Sequence, residues 1–219
     1  MKIFSVLVVT AFAFFANVAH ADMFTGGGFA LVDAMGTTAG TAFGNIVVAG
    51  NGGTVASIDS VTINGFTHTF IGDIFVDFRN VTNATAVSVR LAGPPDASAA
   101  NFNGTYTFSV NPALQTIDEA AFGKLDADDI APGRYAIADY GGGTANGART
   151  NFNSMSNLAI DGTWQLRVID FGAGDTGAIT GWSFNATITA VPEPSCIALL
   201  GGVAFAGGFY GFRRKRMHR

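Results

Sequence analysis

Short runs of alternating apolar and polar residues limit this chain to a β-rich fold. Alternation with a period of two gives a strand one apolar face and one polar face. The apolar positions of the clearest runs are Val61 and Ile63; Ile74, Val76 and Phe78; Val87, Val89 and Leu91; Tyr106 and Phe108; Trp164, Leu166 and Val168; and Trp182, Phe184 and Ile188. Gly, Asn, Asp and Pro separate the runs, and the one predicted helix is short, around residues 117–124. Because such strands bury their apolar faces by packing as two sheets, the sequence predicts an all-β, antiparallel β-sandwich.

The first 44 residues precede these runs. Lys2 is followed by an apolar stretch at 3–16 and by a small-x-small site at 19–21, which is the anatomy of a secretory signal peptide. We therefore expect residues 1–21 to direct export through the Sec machinery, with cleavage after Ala21. Residues 22–44 are rich in Gly and Ala and are predicted to form a loose lead-in with one or two edge strands. The sandwich is then expected at residues 45–190.

The last 29 residues, 191–219, have three parts. Pro192, Glu193 and Pro194 form a rigid segment that cannot continue a helix or a sheet ladder. The apolar run at 196–212 would be about 25 Å long as a helix, at the short end of what a bilayer needs. The basic cluster after it keeps the C-terminus in the cytoplasm and consists of Arg213, Arg214, Lys215 and Arg216. This order resembles the PEP-CTERM sorting signal, which exosortases of Gram-negative bacteria are thought to process. An ordinary single-span anchor would explain the helix and the arginines but not the Pro-Glu-Pro segment.

The exported part, residues 22–190, is acidic. It holds six Arg and Lys residues against fifteen Asp and Glu residues, a net charge of −9. This balance argues against nucleic acid or anionic lipid as a partner, since both need a basic surface. The only cysteine, Cys196, lies in the apolar part of the tail. Without a disulfide, the exported part must be stabilised by its core, with or without a metal.

Two further blocks of sequence lie about 90 residues apart. The first, at 65–74, reads Gly-Phe-Thr-His-Thr-Phe-Ile-Gly-Asp-Ile. The second, at 162–170, reads Gly-Thr-Trp-Gln-Leu-Arg-Val-Ile-Asp, followed by Asp-Thr-Gly at 175–177 and Gly-Trp-Ser-Phe at 181–184. These blocks are similar to the two signatures of the P/Homo B domain, a β-sandwich best known C-terminal to the catalytic domain of kexin- and furin-like proprotein convertases.

This resemblance implies a jelly-roll-like sandwich of P/Homo B type over residues 45–190. It departs at residues 79–82, where Arg-Asn-Val-Thr replaces the usual Ser-Pro-x-Gly turn, and the stretch between the blocks matches weakly. The convertase catalytic triad belongs to a separate subtilisin-like domain, so the resemblance implies no active site here. It does imply structural roles for the matched positions His68, Gly72, Asp73, Trp164, Asp170, Asp175, Gly177 and Trp182.

A nucleophile activated by a base requires an imidazole within hydrogen-bond reach of Ser, Thr or Cys. His68 is the one histidine within residues 22–190, and that stretch has no cysteine. We expect His68 to bond the turn that follows it, with Asp73 as its partner in that turn, rather than to act as a catalytic base. The sequence therefore predicts a protein that is not an enzyme.

Two features could bind ligands. Calcium prefers six to eight oxygen ligands, and acidic loops often provide them. The best calcium candidates are Asp126, Asp128 and Asp129, although Asp also commonly caps turns. Trp164 and Trp182 could stack on sugars, but they lie on the apolar face of their strands, which favours core packing.

These observations predict an exported, exosortase-processed protein of the cell surface or extracellular matrix. Its sandwich would bind an extracellular polysaccharide or a surface protein, after transient anchoring in the inner membrane by the C-terminal helix. The alternative is an accessory or remnant domain of a serine endopeptidase system, or a hydrolytic surface protein.

Overall fold

Twelve strands and one short helix make up the described part of the chain. The computed structural model describes residues 19–82, 86–93, 99–125, 128–139 and 148–190. The strands are β1 (Ala19–Ala30), β2 (Gly40–Val48), β3 (Gly53–His68), β4 (Ile74–Asn80), β5 (Val87–Ala92), β6 (Asn101–Ser109), β7 (Asp129–Ile130), β8 (Gly133–Ala136), β9 (Ala138–Asp139), β10 (Ala148–Arg149), β11 (Gly162–Asp170) and β12 (Gly177–Ala190). Helix α1 spans Ile117–Ala121, and single 3-10 turns lie at Ile71–Asp73 and Asn153–Met155. Each of the six runs predicted from alternation lies within a strand, and the predicted helix is present but shorter.

Two sheets form the sandwich. One has the strand order β1-β12-β3-β6-β7, with β8 also paired to β6. The other has four strands in the order β2-β11-β4-β5, and β9 and β10 form a separate hairpin-like pair. Apolar side chains from both sheets share one core. The structure thus confirms the all-β sandwich predicted from the alternation.

The sequence predicts purely antiparallel sheets, and this prediction is wrong at one edge. Strand β6 pairs in parallel with β7 and with β8. These strands have two and four residues, too short to show a hydrophobic period. Their pairing is set by the return of the chain after α1, and sequence patterning does not reveal it.

Residues 22–44 contain the edge strands that the sequence predicts, but these strands belong to the sandwich itself. They contain most of β1 and the first half of β2, and these are edge strands of the two sheets. Strand β1 pairs with β12 along eleven residue pairs, from Ala19 to Ala30. The compact unit accordingly begins at Ala19 and ends at Ala190, so the sandwich does not start at Asn45.

An aromatic cluster occupies the middle of the core. The ring centroids of Phe78 and Trp164 are 5.4 Å apart, and Phe184 lies 5.2 Å from Phe78 and 5.1 Å from Trp164. Trp164 and Trp182 are 0% and 1% exposed. The Trp164 indole N–H donates to the Ile160 carbonyl at 2.8 Å, whereas that of Trp182 has no partner among the described residues. Both tryptophans are core residues in this fold, and neither face is presented to a ligand.

A capping box begins helix α1. Thr116 Oγ1 accepts the Glu119 N–H at 3.1 Å, and the Glu119 carboxylate accepts the Thr116 N–H at 2.7 Å. The chain then turns at Gly123, whose φ is +75°, a value that favours glycine. The helix is therefore one short turn rather than the eight residues predicted.

The predicted targeting segments lie mainly outside the described residues. Residues 19–21 of the predicted signal peptide open β1, and 1–18 are not described. The whole predicted sorting signal, 191–219, also lies outside them. Among the residues that the structure does describe, no helix is both long and apolar enough to cross a membrane.

Candidate functional site

A buried histidine–aspartate pair joins the two sheets at one end of the sandwich. His68 ends β3 in the six-stranded sheet, and Asp170 ends β11 in the four-stranded sheet. Their side chains are 0% and 2% exposed, with His68 Nε2 3.2 Å from Asp170 Oδ2. Because an ionised carboxylate only accepts hydrogen bonds, Nε2 carries the proton that it donates to Asp170. Nδ1 faces the Phe70 backbone, 3.2 Å from its N–H and 3.0 Å from its carbonyl oxygen.

Opposing effects act on the pKa of the Asp170 carboxyl group. Burial raises its pKa, while the hydrogen bonds from His68 and from the Gly172 N–H oppose that rise. The Gly172 N–H lies 3.0 Å from Asp170 Oδ1. Each carboxylate oxygen therefore has a donor, although the effect of burial is the larger one and the pKa of Asp170 stays above its ordinary value.

Further carboxylates surround this pair. Asp175 accepts the Thr69 hydroxyl at 2.8 Å, and Asp33 accepts the Gly174 N–H at 3.1 Å. Asp73 has no hydrogen-bond donor for its carboxylate within the described part of the chain. Burial raises the pKa of Asp73, and the negative charges of Asp170 and Asp175 raise it further. The charge of His68 opposes this rise only in part, so Asp73 is the member of the acidic cluster whose charge is least compensated by direct contacts.

The expected pairing of His68 with Asp73 is wrong. The imidazole contacts Asp170, which is 102 residues away in sequence, whereas its predicted contact to the following turn is present at Phe70. Gly72 lies in the 3-10 turn with Asp73, and Gly177 is the register partner of His68. A Cβ on Gly177 would lie 2.9 Å from His68 Cδ2, so glycine allows β12 to approach the imidazole.

A cavity of about 450 Å³ opens beside the His68 end of β3. Its lining combines apolar surface with hydroxyl, amide and carboxylate groups and consists of Thr67, His68, Thr69, Asn101, Phe102, Asn103, Asp129, Thr176 and Gly177. The Asn103 side-chain amide donates to Asp129 at 2.9 Å. Such a lining suits a polar ligand that forms many hydrogen bonds. We call this feature the Thr–Asn cavity.

The calcium candidates are only partly described. Asp126 lies outside the described residues. Asp128 accepts the Leu125 N–H at 2.9 Å, as a turn-capping residue does, and Asp129 accepts the Asn103 amide. Among the residues that the structure describes, no group of three or more His, Cys, Asp or Glu side chains is arranged to hold a metal ion.

A charged network on the outer face of the four-stranded sheet was not predicted. The buried Asp77 carboxylate accepts hydrogen bonds from Arg90 and from Arg167, whose Nε lies 3.0 Å away. The Arg90 guanidinium also lies 3.8 Å from the centre of the Phe75 ring. Strand register brings the three charges together, since Asp77 faces both arginines across its neighbouring strands. The alternating positions of these residues were visible in the sequence, but their pairing was not.

The fold and this geometry define an all-β sandwich whose two sheets are joined by a buried histidine–aspartate contact. No family model matches the chain, and no curated protein matches it. Among solved structures, the chain is similar to a serine protease of Aeromonas sobria, with 10% sequence identity and a TM-score of 0.41. The match covers 78% of this chain and 27% of that protein. A likeness at this level carries no argument about activity.

Proposed function

We propose that this chain is an exported, non-catalytic interaction protein of the cell surface or extracellular matrix. The P/Homo B-like blocks support a sandwich of that type, and the terminal segments support export and exosortase processing. The sandwich presents its ligand-binding groups on a rigid framework and performs no chemistry of its own.

The engagement of both His68 nitrogens is the observation that carries this proposal. A general base needs a ring nitrogen that faces the group to be deprotonated. Nε2 of His68 faces Asp170, and Nδ1 faces the Phe70 backbone. The neighbouring hydroxyls have other partners, since Thr67 bonds to Ala178 and Thr69 to Asp175. This arrangement favours a structural role for the imidazole.

The Thr–Asn cavity is the proposed ligand site. Its hydroxyl and amide groups match an extracellular polysaccharide or a polar segment of a surface protein. The purified full-length chain should bind a subset of polymers on an array of glycans and matrix polymers. Asn103→Ala removes an exposed lining amide and should abolish that binding, whereas Thr105→Ala changes an exposed residue of the same strand that does not line the cavity.

The outcomes of this experiment are distinct. Loss of binding in Asn103→Ala with retention in Thr105→Ala supports the cavity as the site. Equal binding by both variants places the site elsewhere, and the absence of any bound polymer contradicts the interaction role.

A hydrolytic role is the second candidate. The buried His68–Asp170 contact beside a cavity is the observation that favours it, because histidine–carboxylate pairs also orient catalytic bases. It requires Nδ1 to leave the Phe70 backbone and to reach a nucleophile. Peptidase or glycosidase activity of the purified chain that is lost in His68→Ala would establish this role in place of the first.

A further inference from the structure

The outer face of the four-stranded sheet concentrates positive charge. It carries Arg79, Arg90 and Arg167, which are three of the six basic residues within 22–190. Asp77 is the one acidic residue among the outward-facing positions of these four strands, so the face has a net charge of +2, against −9 for residues 22–190 as a whole. We call this surface the arginine face.

Register defines the layout of the arginine face. One row across the strands reads Phe43, Arg167, Asp77 and Arg90, and the next reads Asn45, Gln165, Arg79 and Ser88. With strands about 4.8 Å apart, each row is about 15 Å long. The pleated surface is therefore long enough for several units of an extended polymer.

Arg79 differs from Arg90 and Arg167 in its contacts with the carboxylate of this face. Asp77 already accepts from Arg90 and Arg167, and within the described residues Arg79 forms no ion pair or hydrogen bond. Burial and the charge of Arg167 lower the pKa of Arg79, and the charge of Asp77 offsets only part of that fall. A carboxylate placed between Arg79 and Arg167 would relieve the repulsion between two guanidinium groups and would match their planar, bidentate donors.

Apolar side chains border the charged rows. Phe43 is 46% exposed at one end of the first row, and Phe171, 51% exposed, packs edge-on against Phe75 with a centroid distance of 5.0 Å. Exposed aromatic rings next to hydrogen-bonding groups suit sugar rings, which have apolar C–H faces and polar edges. Guanidinium groups and rings together match a sugar polymer that carries carboxylates.

We propose that the arginine face binds an acidic polysaccharide through the carboxylates of its uronic acid residues. This inference rests on the proposed interaction role but not on the Thr–Asn cavity, with which the face shares no residue. The −9 charge of residues 22–190 opposes any polyanion at long range, so binding depends on direct guanidinium contacts. Nucleic acid is disfavoured because its dense phosphate charge needs a broadly basic surface.

The test uses the full-length chain and polygalacturonate as the acidic probe, with dextran as the neutral polymer and DNA as the phosphate polymer. Binding is measured by titration at low and high salt. Arg79→Gln should weaken polygalacturonate binding about tenfold or more, the scale of one lost charge-assisted contact. It should leave the melting temperature unchanged or higher, because it removes a like charge beside Arg167.

Arg134→Gln is the matched control. It makes the same change in net charge at an exposed position of β8, in the other sheet. Arg134→Gln should keep polygalacturonate binding within about twofold of the parent, since a remote charge contributes little once screened by salt. Arg79→Lys, which keeps the charge but loses the planar fork, should bind with intermediate affinity.

Several results would overturn the inference. These are no binding of polygalacturonate, equal losses in Arg79→Gln and Arg134→Gln, and tighter binding of DNA than of polygalacturonate. Binding of dextran that is insensitive to Arg79→Gln also overturns it, while leaving the proposed interaction role intact. If the parent chain binds none of the polymers on the array, the proposed function itself is contradicted.

Discussion

His68 connects two sheets through a single side chain. It lies at the end of β3, and its Nε2 donates to Asp170 at the end of β11. Both side chains are almost fully buried, so water does not take the place of either partner in the folded protein. A lost hydrogen bond to a buried carboxylate costs more than the bond itself contributes, because the carboxylate remains without a donor. His68 therefore contributes to stability in a way that an exposed histidine does not.

His68→Ala should lower the free energy of unfolding by about 1–3 kcal/mol, because Asp170 would lose the donor for its Oδ2 oxygen. Urea denaturation of the parent and the variant measures the change. His68→Ala combined with Asp170→Asn should recover part of the loss, because the second change removes the stranded charge. An unchanged unfolding free energy in His68→Ala would contradict the structural role.

Asp73 destabilises the folded protein when it is ionised, because burial and its acidic neighbours outweigh the favourable charge of His68. Its pKa is raised by burial and by Asp170 and Asp175, so the folded protein binds a proton to Asp73 more readily than the unfolded chain does. Between the ordinary value of 3.8 and the raised pKa, the folded state holds more protons. The contribution of Asp73 to stability consequently falls as the pH rises through that window, and the penalty is complete above it.

Asp73→Asn should stabilise the protein at neutral pH by up to about 1 kcal/mol, the scale of a partly exposed charge interaction. The gain should shrink as the pH falls toward the ordinary value of 3.8, because a growing fraction of Asp73 then carries a proton in the folded state. Urea denaturation of both proteins across pH 4–8 measures this difference. A gain that does not change with pH would show that charge is not its cause.

At the scale of elements, alternation predicted the long strands but not their partners. Strands β4, β5 and β11 were readable because each has one apolar face buried in the core. Strand β1 was not, since none of its residues is fully buried and its Gly-rich sequence lacks a clear apolar period. The parallel pairing of β7 and β8 with β6 depends on the chain path after α1, which no local pattern encodes.

The same holds for the candidate sites: their residues could be recognised in the sequence, but their contacts could not. His68 and Asp170 were each singled out by their motifs, but the contact between them follows from the ends of two strands in different sheets. Asp77, Arg90 and Arg167 occupy polar positions of the alternating runs, and nothing local in the sequence marks them as partners. Register converts such positions into a network, and register depends on long-range pairing that a single sequence does not reveal.

Gly44 shows how the packing of β1 restricts the side chain that β2 can carry at this position. It lies in β2, and a Cβ there would be 2.5 Å from the Phe29 ring of β1 and 2.7 Å from Trp182 Nε1. Gly44→Ala should therefore lower the unfolding free energy by about 1–3 kcal/mol through overpacking. Asn45→Ala, at the next and outward-facing position of the same strand, should change it by less than about 0.5 kcal/mol. Equal effects in thermal or urea denaturation would contradict the close packing of β1 over β2.

At the scale of the whole molecule, the sandwich and the predicted sorting signal differ in charge and occupy separate parts of the sequence. Residues 22–190 carry −9, whereas 213–216 are all basic. The last described strand, β12, ends at Ala190, two residues before Pro192. Every described strand therefore precedes the predicted sorting signal, and removal of the residues after Pro194 would leave both sheets complete.

The proposed processing makes a specific prediction about mass. Protein isolated from the native host should lack the residues after roughly Pro194, because the Pro-Glu-Pro segment precedes an apolar run at the short end of what a bilayer requires. Intact-mass spectrometry measures the C-terminus directly. A variant with Ala at positions 192, 193 and 194 should keep its full-length tail in the same host, because it retains the helix and the arginines but loses the segment that an ordinary anchor does not need. A parent protein that keeps residues 195–219, in a host whose sorting machinery is present, would show that the tail is only a membrane anchor.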